Sequence, residues 1–151
     1  TFGDLRCHDR LPPLGRSAAH VHSPAGGLWL DRGQSGGGAQ PYISSPKLIS
    51  FPEKITTVAA GMHYSLALAS SGRVYAWGWN GFGQLGLGDL QSRSTPTLIP
   101  GLSGVRSIAA GEMHAIAVGK NHLLGWGSNA SNQIGKSALK QMTPNPFLTI
   151  A

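Results

Sequence analysis

The 151-residue chain carries few charges, with Asp, Glu, Lys and Arg making up 12% of it, whereas 22 of its residues are glycine. This balance excludes a long-helix or intrinsically disordered protein and favours a turn-rich all-β domain. Twelve Lys and Arg against six Asp and Glu give a formal net charge of +6, but these residues form no basic run that would mark a nucleic-acid-binding segment.

Cysteine usage and hydropathy bear on the compartment. Cys7 is the single cysteine, so the chain has no internal disulfide, which is typical of a reducing environment. No apolar run approaches the length of a membrane-spanning helix, and the first residues lack the order of a signal peptide. The predicted location is therefore intracellular, cytoplasmic and/or nuclear, with no membrane partner. Because the chain begins with Thr1 rather than Met, we expect a piece of a longer protein.

Residues 1–45 are rich in glycine and proline and show little periodicity. Ser17 and Trp29 nevertheless lie 48 residues before a serine and a tryptophan of the next unit, and the GQSG sequence at 33–36 lies 50 residues before GQLG. We therefore interpret 1–45 as a degenerate or incomplete first repeat. His20 and His22 form an H-x-H pair, but no third ligand follows nearby, so no metal site is predicted.

Two clearer units follow at 46–95 and 96–144. In the first, a β-branched run ends at Gly61 and an alternating segment is interrupted by Ser-Ser-Gly at 70–72, which predicts a hairpin. The second unit repeats this pattern. A proline at the start of each unit fits an edge strand, because proline donates no hydrogen bond to a sheet. Each unit is predicted to contain four short antiparallel strands, beginning with one near Leu98 in the second unit, and 145–151 would begin a further unit.

A glycine-rich loop closes each unit. Trp77 and Trp126 each begin a W-G-x-N segment that ends in Gln-x-Gly, and the segments are offset by 49 residues, a period typical of solenoids, propellers and arrays. Glycine allows positive φ and close approach of two chain segments, and Asn132, which replaces Gly83, tolerates the same conformation. The predicted structural residues of the repeat are Gly61, Trp77, Gly78, Asn80, Gly83, Gln84, Gly86, Gly111, Trp126, Gly127, Asn129, Asn132, Gln133 and Gly135.

The two units resemble the repeats of the regulator of chromosome condensation family. The resemblance rests on two AAG-x-x-x-[S/A]-[L/I]-A-[L/V] strands, each followed by W-G-x-N-x-x-[G/N]-Q-[L/I]-G, and it covers 46–144 strongly and 17–45 weakly. It implies an all-β fold, a partial β-propeller with about three four-stranded antiparallel blades of a ring of about seven. The remaining blades of the parent chain would then be partners of this piece.

The resemblance implies a function carried by loops on the faces of the ring. Members of the family include an exchange factor for the GTPase Ran that docks on chromatin, scaffolds, ubiquitin-ligase parts and plant ultraviolet-B photoreceptors. We predict a non-enzymatic module that binds a protein partner. The alternative is a guanine-nucleotide exchange factor for a small Ran-like GTPase with chromatin docking, although the family's long wedge hairpin is absent from 46–144. A third hypothesis, docking on DNA or a nucleosome, rests on the net charge.

The resemblance also places the residues that follow Gly61 and Gly111 on a ring face. The predicted partner-binding residues are Met62, His63, Glu112 and Met113, with packing between blades as the alternative for the two methionines. No tryptophan follows either glycine, so the photoreceptor's light-sensing motif is not expected. Other side chains are predicted to be interior polar groups, Tyr64 and His114, or solvated turn ends, Arg73 and Arg93.

No pattern of catalytic residues emerges from the sequence. There is no Ser-His-Asp order, paired carboxylate or nucleophile motif, and no Gly-Lys-Ser/Thr follows the glycine-rich loops as it would in a phosphate-binding loop. His63 has no carboxylate at a fixed spacing that would support general acid–base chemistry. We therefore predict no enzyme activity, no cofactor and no metal.

Overall fold

The computed structural model describes residues 18–19, 49–135 and 139–149, and all regular structure in these residues is β-strand. Two short strands, β1 (Ala18–Ala19) and β2 (Ile49–Ser50), pair with each other. A four-stranded antiparallel sheet, named blade A, contains β3 (Ile55–Ala60), β4 (Tyr64–Ala69), β5 (Val74–Gly78) and β6 (Arg93–Leu98) in that order. A second, named blade B, contains β7 (Ser107–Ala110), β8 (His114–Val118), β9 (His122–Ser128) and β10 (Lys140–Thr149).

Tight turns connect the central strands of each blade, as the alternating pattern predicts. In blade A the turn after β4 places Gly72 at φ 80°, where the Gly72 amide donates to the carbonyl of Ala69 at 2.9 Å. In blade B the Gly119 amide donates to the carbonyl of His122 at 2.9 Å. The two hairpins bring β4 against β5 and β8 against β9 in equivalent registers, since Leu66 faces Ala76 and Ile116 faces Gly125.

Prolines lie in the outermost strands. Pro96 is in β6 and both Pro144 and Pro146 are in β10, and each of these strands pairs with a neighbour on one side. The missing amide donors are tolerated there because an edge strand needs hydrogen bonds along one side only. The register is irregular at both edges, between Ala76 and Gly78 against β6 and between Gln141 and Asn145 against β9.

The boundaries of the sheets do not coincide with the boundaries of the sequence units. The sequence pattern predicts that a strand near Leu98 begins the second unit, but Leu98 pairs with Tyr75 and completes blade A. Likewise, 145–149 form the last half of β10 in blade B. Each sheet therefore takes its outer strand from the start of the next sequence unit. The division into 1–45, 46–95, 96–144 and 145–151 stays a proposal about the sequence repeat, and 1–45 lies outside the described residues except for β1.

The largest hydrophobic core lies between the two blades. Large side chains of blade A, including Leu66, Leu68 and Val74, pack in one cluster with Ala117 and Trp126 of blade B. On the opposite side of blade A, a second cluster joins alternate residues of β4 and β5 to the segment at the end of β2, with members Ile49, Phe51, Ala67, Ala69, Tyr75 and Trp77. All six residues of β4 are buried, because both faces of this strand are covered.

Candidate functional site

The turns after β3 and β7 are built around a glycine that lies under a ring. The Gly61 amide donates to the carbonyl of Tyr64 at 2.9 Å, and the Gly111 amide donates to that of His114 at 2.8 Å. A Cβ on Gly61 would lie 1.9 Å from Cε1 of Tyr64, and one on Gly111 would lie 2.2 Å from Cε1 of His114. The two residues between glycine and ring form the tip of each turn, where Met62 is 52% exposed.

A backbone hydrogen bond joins these two turns across the blades. The Met62 amide donates to the carbonyl of Glu112 at 3.1 Å. The Tyr64 hydroxyl reaches the carbonyl oxygens of Gly111, at 3.1 Å, and of His114. Burial raises the pKa of Tyr64, so this phenol stays protonated and able to donate. The structure thus brings Met62 and His63 of one blade beside Glu112 and Met113 of the next.

The glycine-rich loop of blade A adds an aromatic pair to the same end of the blades. The Trp79 amide donates to the carbonyl of His63 at 2.8 Å, and the two rings meet edge to face with centroids 6.1 Å apart. Phe82 in turn packs edge to face on Trp79 at 5.6 Å and is 40% exposed. A Cβ on Gly81 would lie 2.3 Å from the Trp79 ring, so this glycine makes room for the pair.

Gln84 links the aromatic pair to blade B. Its Oε1 accepts a hydrogen bond from the Phe82 amide at 2.9 Å, and its Nε2 donates to Sδ of Met113 at 4.0 Å. Gln84 is fully buried and Met113 is half-buried, so only part of the Met113 side chain is exposed at the surface. These contacts make one continuous surface, the interaction face, which consists of Met62, His63, Trp79, Phe82, Glu112 and Met113.

The loops beneath this face are held by asparagine side chains. Asn80 Oδ1 accepts from the Leu85 amide at 2.9 Å, and Asn80 Nδ2 donates to the carbonyls of Asp89 and Gln91. In blade B, Asn129 bonds the Ile134 amide and the Gly135 carbonyl in the same way. The replacement of Gly83 by Asn132 keeps the conformation of the loop, since these residues have φ values of 75° and 57°.

A comparison of the two blades distinguishes the residues of the interaction face from those that hold the loops in place. Several residues that shape the loops are identical at an offset of 49, as in Asn80 and Asn129, and Asn132 keeps the conformation of Gly83. Face residues differ at the same offset, and the aromatic side chains of Trp79 and Phe82 have serines as their counterparts in blade B. Repetition of the fold therefore does not require an aromatic pair. Sequence reasoning did not predict Trp79 or Phe82 as face residues, although the serines at the equivalent positions of the second repeat were the signal that marks both.

Both arginines that were predicted as solvated turn ends form ion pairs. Arg73 lies 2.8 Å from Glu53, and Arg93 lies 2.7 Å from Asp89. Hydrogen bonds from Ser71 and Tyr75 lower the pKa of Glu53, and a hydrogen bond from Arg93 lowers that of Asp89. At the predicted interior position in blade B, partial burial lowers the pKa of His114.

The described residues contain no cluster suited to metal binding. In 49–135 and 139–149, no group of three or more His, Cys, Asp and Glu side chains is placed to hold a metal ion. Every buried polar side-chain atom in that part of the chain has a hydrogen-bond partner. A helix that could cross a membrane is likewise absent from the described part. The site is therefore a partly apolar surface, and the loops beneath it are held by hydrogen bonds.

Comparison with known proteins identifies the repeats. Two models of the Regulator of chromosome condensation (RCC1) repeat match residues 55–84 and 71–118. The backbone superposes on the crystal structure of Kap60 bound to yeast RCC1 (Prp20) with a TM-score of 0.73 and 22% identity, over 88% of this chain and 33% of that one. The described sheets are therefore blades of this type of propeller.

Proteins similar to this chain are named for different roles. The chain is 31% identical over 112 residues to the ultraviolet-B receptor UVR8 of Arabidopsis thaliana. The aligned region is 71% of this chain and 26% of the receptor. It is 38% identical over 109 residues to the X-linked retinitis pigmentosa GTPase regulator of Canis lupus familiaris, over 68% of this chain and 11% of that protein. The chain thus spans a minor part of each relative, and the repeat by itself does not fix an activity.

Proposed function

Because residues 55–118 belong to the Regulator of chromosome condensation (RCC1) repeat family, we propose that this chain is a non-enzymatic module that binds a protein partner through the interaction face. The observation that carries the proposal is the hydrogen bond between Met62 and Glu112, which joins the tips of two turns into one surface. The partner meets this surface inside the cell, in the cytoplasm and/or nucleus, while further blades of the parent chain pack beside it.

The composition of the face supports protein recognition. Met62 and Phe82 are large apolar side chains that are 52% and 40% exposed, and they lie around the same aromatic and methionine cluster. Methionine, aromatic and arginine side chains are enriched at protein interfaces, and a few such anchors carry most of the binding energy. Loops held by buried asparagine and glutamine lose little conformational entropy on binding.

The proposal is tested by capture of partners with the full chain. A Met62→Asp, Phe82→Asp double variant places charge on the two exposed anchors, and we expect it to lose partners that the original chain retains. The matched control is Leu148→Asp, which places charge on a 54% exposed residue of β10, away from the face. Circular dichroism spectra and Tm values of both variants confirm folding before capture.

Three results decide the outcome. Partners lost by the double variant and retained by the control support the face. Partners retained by both variants remove the face from the proposal. Partners lost equally by both variants show that binding depends on overall surface hydrophobicity rather than on these residues.

A second candidate function is guanine-nucleotide exchange on a small Ran-like GTPase, with chromatin docking. The relative named as a GTPase regulator favours it. Exchange requires that the surface bind the nucleotide-free GTPase more tightly than the loaded form. We expect the full-length parent to accelerate release of labelled GDP from Ran if this function is present, and unchanged release argues against it. Chromatin docking, supported by the formal net charge of +6, predicts nucleosome binding that weakens steeply with added salt.

A further inference from the structure

One carboxylate on the interaction face has no basic partner in the described part of the chain. Of the three carboxylates there, Glu53 pairs with Arg73 and Asp89 pairs with Arg93, whereas the exposed Glu112 makes no ion pair with residues 49–135 or 139–149. A paired carboxylate has its charge already neutralised by a neighbour. The charge of Glu112 is therefore available to a ligand.

The surroundings of Glu112 are apolar and aromatic. Met62 is bonded to it through the backbone, and Met113 follows it in the chain and contacts Gln84. Phe82 lies on the other side of Gln84, and the plane of its ring makes an angle of 86° with that of Trp79. An edge-to-face contact of this kind engages at most one face of a ring, and Phe82 remains 40% exposed. Aromatic faces attract cations, most often arginine.

Basic residues lie at both ends of the blades. At the end with the interaction face, Arg93 begins β6 opposite Gly78 and is paired with Asp89, and Lys140 begins β10 opposite Ser128. Three others lie at the other end. Lys54 precedes β3 and its carbonyl accepts from the Ser70 amide at 2.9 Å. Arg106 precedes β7 and Lys120 lies in the turn between β8 and β9, which is the equivalent end of blade B. An anionic partner would be drawn to that end. The six residues of the interaction face include one carboxylate, Glu112, and no lysine or arginine, so a cation complements their charge.

We propose that the interaction face binds a partner segment in which an arginine is flanked by large apolar residues, an inference that rests on the proposed function. The guanidinium pairs with the Glu112 carboxylate and lies against the Phe82 ring, while the apolar neighbours cover Met62. Arginine suits this surface better than lysine, because its planar and weakly hydrated group both stacks on rings and forms two parallel hydrogen bonds to a carboxylate.

The test uses the full ¹⁵N-labelled chain and three synthetic peptides with blocked ends. The peptides are Gly-Ser-Leu-Arg-Leu-Ser-Gly and the same sequence with citrulline or glutamate in place of arginine. We expect the arginine peptide to shift the amide signals of Met62, Phe82 and Glu112. It should bind about three- to tenfold more tightly than the citrulline peptide, the combined effect of an exposed ion pair and an exposed cation–π contact.

Two variants locate the effect. Glu112→Gln removes the carboxylate, and we expect the preference for arginine over citrulline to fall by about twofold or more, leaving the smaller preference that the Phe82 contact alone supplies. Glu53→Gln is the matched control, because Glu53 is already paired with Arg73 at the opposite end of blade A and its loss should leave the preference for arginine unchanged.

Each further outcome counts against a defined claim. Equal affinity for the arginine and citrulline peptides, or tighter binding of the glutamate peptide, overturns the inference while shifts at Met62 and Phe82 still support the face. Shifts confined to Lys54, Arg106 and Lys120 overturn both the inference and the face. Absence of binding by all three peptides overturns the inference for short segments, and the capture experiment then decides the proposed function alone.

Discussion

At the scale of single residues, the glycines that precede the face are there to make space for a ring. Gly61 does not need a left-handed conformation, and its constraint is that any Cβ would overlap the Tyr64 ring. The same relation holds for Gly111 and His114. The tyrosine hydroxyl then reaches into the turn of blade B, so a glycine in one turn determines the contact between two turns.

We expect Gly61→Ala to lower the free energy of unfolding by about 1–3 kcal/mol, the usual cost of overpacking a filled site. Gly119→Ala is the control, because a Cβ there meets its nearest atom at 3.5 Å and Gly119 has no left-handed φ. That variant should stay within about 1 kcal/mol of the original chain or gain stability from a less flexible unfolded state. Urea denaturation measures both, and equal effects would refute the steric account of Gly61.

The sequence predicted these residues unequally. Repetition at an offset of 49 or 50 residues identified Gly61, Trp77 and Gln84, because the packing that they serve occurs in both blades. Phe82 escaped prediction because it occurs in one blade only, and its place on the surface follows from long-range contacts with Trp79 and Gln84. The sequence shows that Phe82 in one repeat is replaced by Ser131 in the other. It does not show that Phe82 lies on a surface shared with Trp79 and Gln84.

At the scale of elements, a carboxylate fastens the entry of blade A to its central hairpin. Glu53, just before β3, accepts hydrogen bonds from the hydroxyls of Ser71 and Tyr75, the latter at 2.7 Å, and pairs with Arg73. These partners lower the pKa of Glu53, the Ser71 hydrogen bond most of all. Burial, and then the hydrogen bond to Glu53, raise the pKa of Tyr75.

This arrangement predicts a pH dependence of stability. A carboxyl whose pKa is lowered on folding contributes stability above its unfolded pKa, and the contribution is lost as the pH falls through the lower folded pKa. We therefore expect Glu53→Gln to be less stable than the original chain at pH 7 and the difference to shrink as the pH falls below the ordinary carboxyl range. Urea titrations between pH 7 and pH 3 measure it.

The control for this titration is Glu112→Gln, which removes a carboxylate that makes no ion pair with a described residue. Its difference from the original chain should stay small across the same range. A Glu53→Gln variant whose deficit is constant with pH would show that the hydrogen bonds, rather than the charge, carry the effect.

Hairpins were predictable at this scale, whereas the outer strands were not. The turns after β4 and β8 follow from glycine and small polar residues between alternating segments. The pairing of Leu98 with Tyr75 depends on the path of the loop from Trp79 to Ser92, which crosses the end of the sheet and returns. Local pattern does not specify such a path, because the loop contains no regular periodicity.

At the scale of the whole molecule, the two blades share the core between them. Trp126 Nε1 donates to the carbonyl of Gln84 at 2.9 Å, and the Trp126 ring lies 3.0 Å from where a Cβ on Gly86 would be. The Val105 amide also donates to the carbonyl of Gly72 at 3.1 Å, near the opposite end. The blades are thus fastened at both ends and packed between, as expected for repeats stabilised mainly by their neighbours.

We expect Trp126→Phe to lower the free energy of unfolding by about 1–3 kcal/mol, since it leaves the buried Gln84 carbonyl without its donor. Because the core is shared, hydrogen exchange should accelerate in β4 as well as in β8. Leu148→Ala, on an exposed residue of blade B, is the control and should change neither strand appreciably. Faster exchange in β8 alone would mean that the blades unfold independently.

The bond from Met62 to Glu112 also has a consequence for how such a surface is altered over evolutionary time. Insertion of one more repeat between the two that supply these residues would separate Met62 from Glu112 and give each a new neighbour. Recombination of whole repeats therefore creates new pairings of side chains at each junction, without a point mutation in any of them.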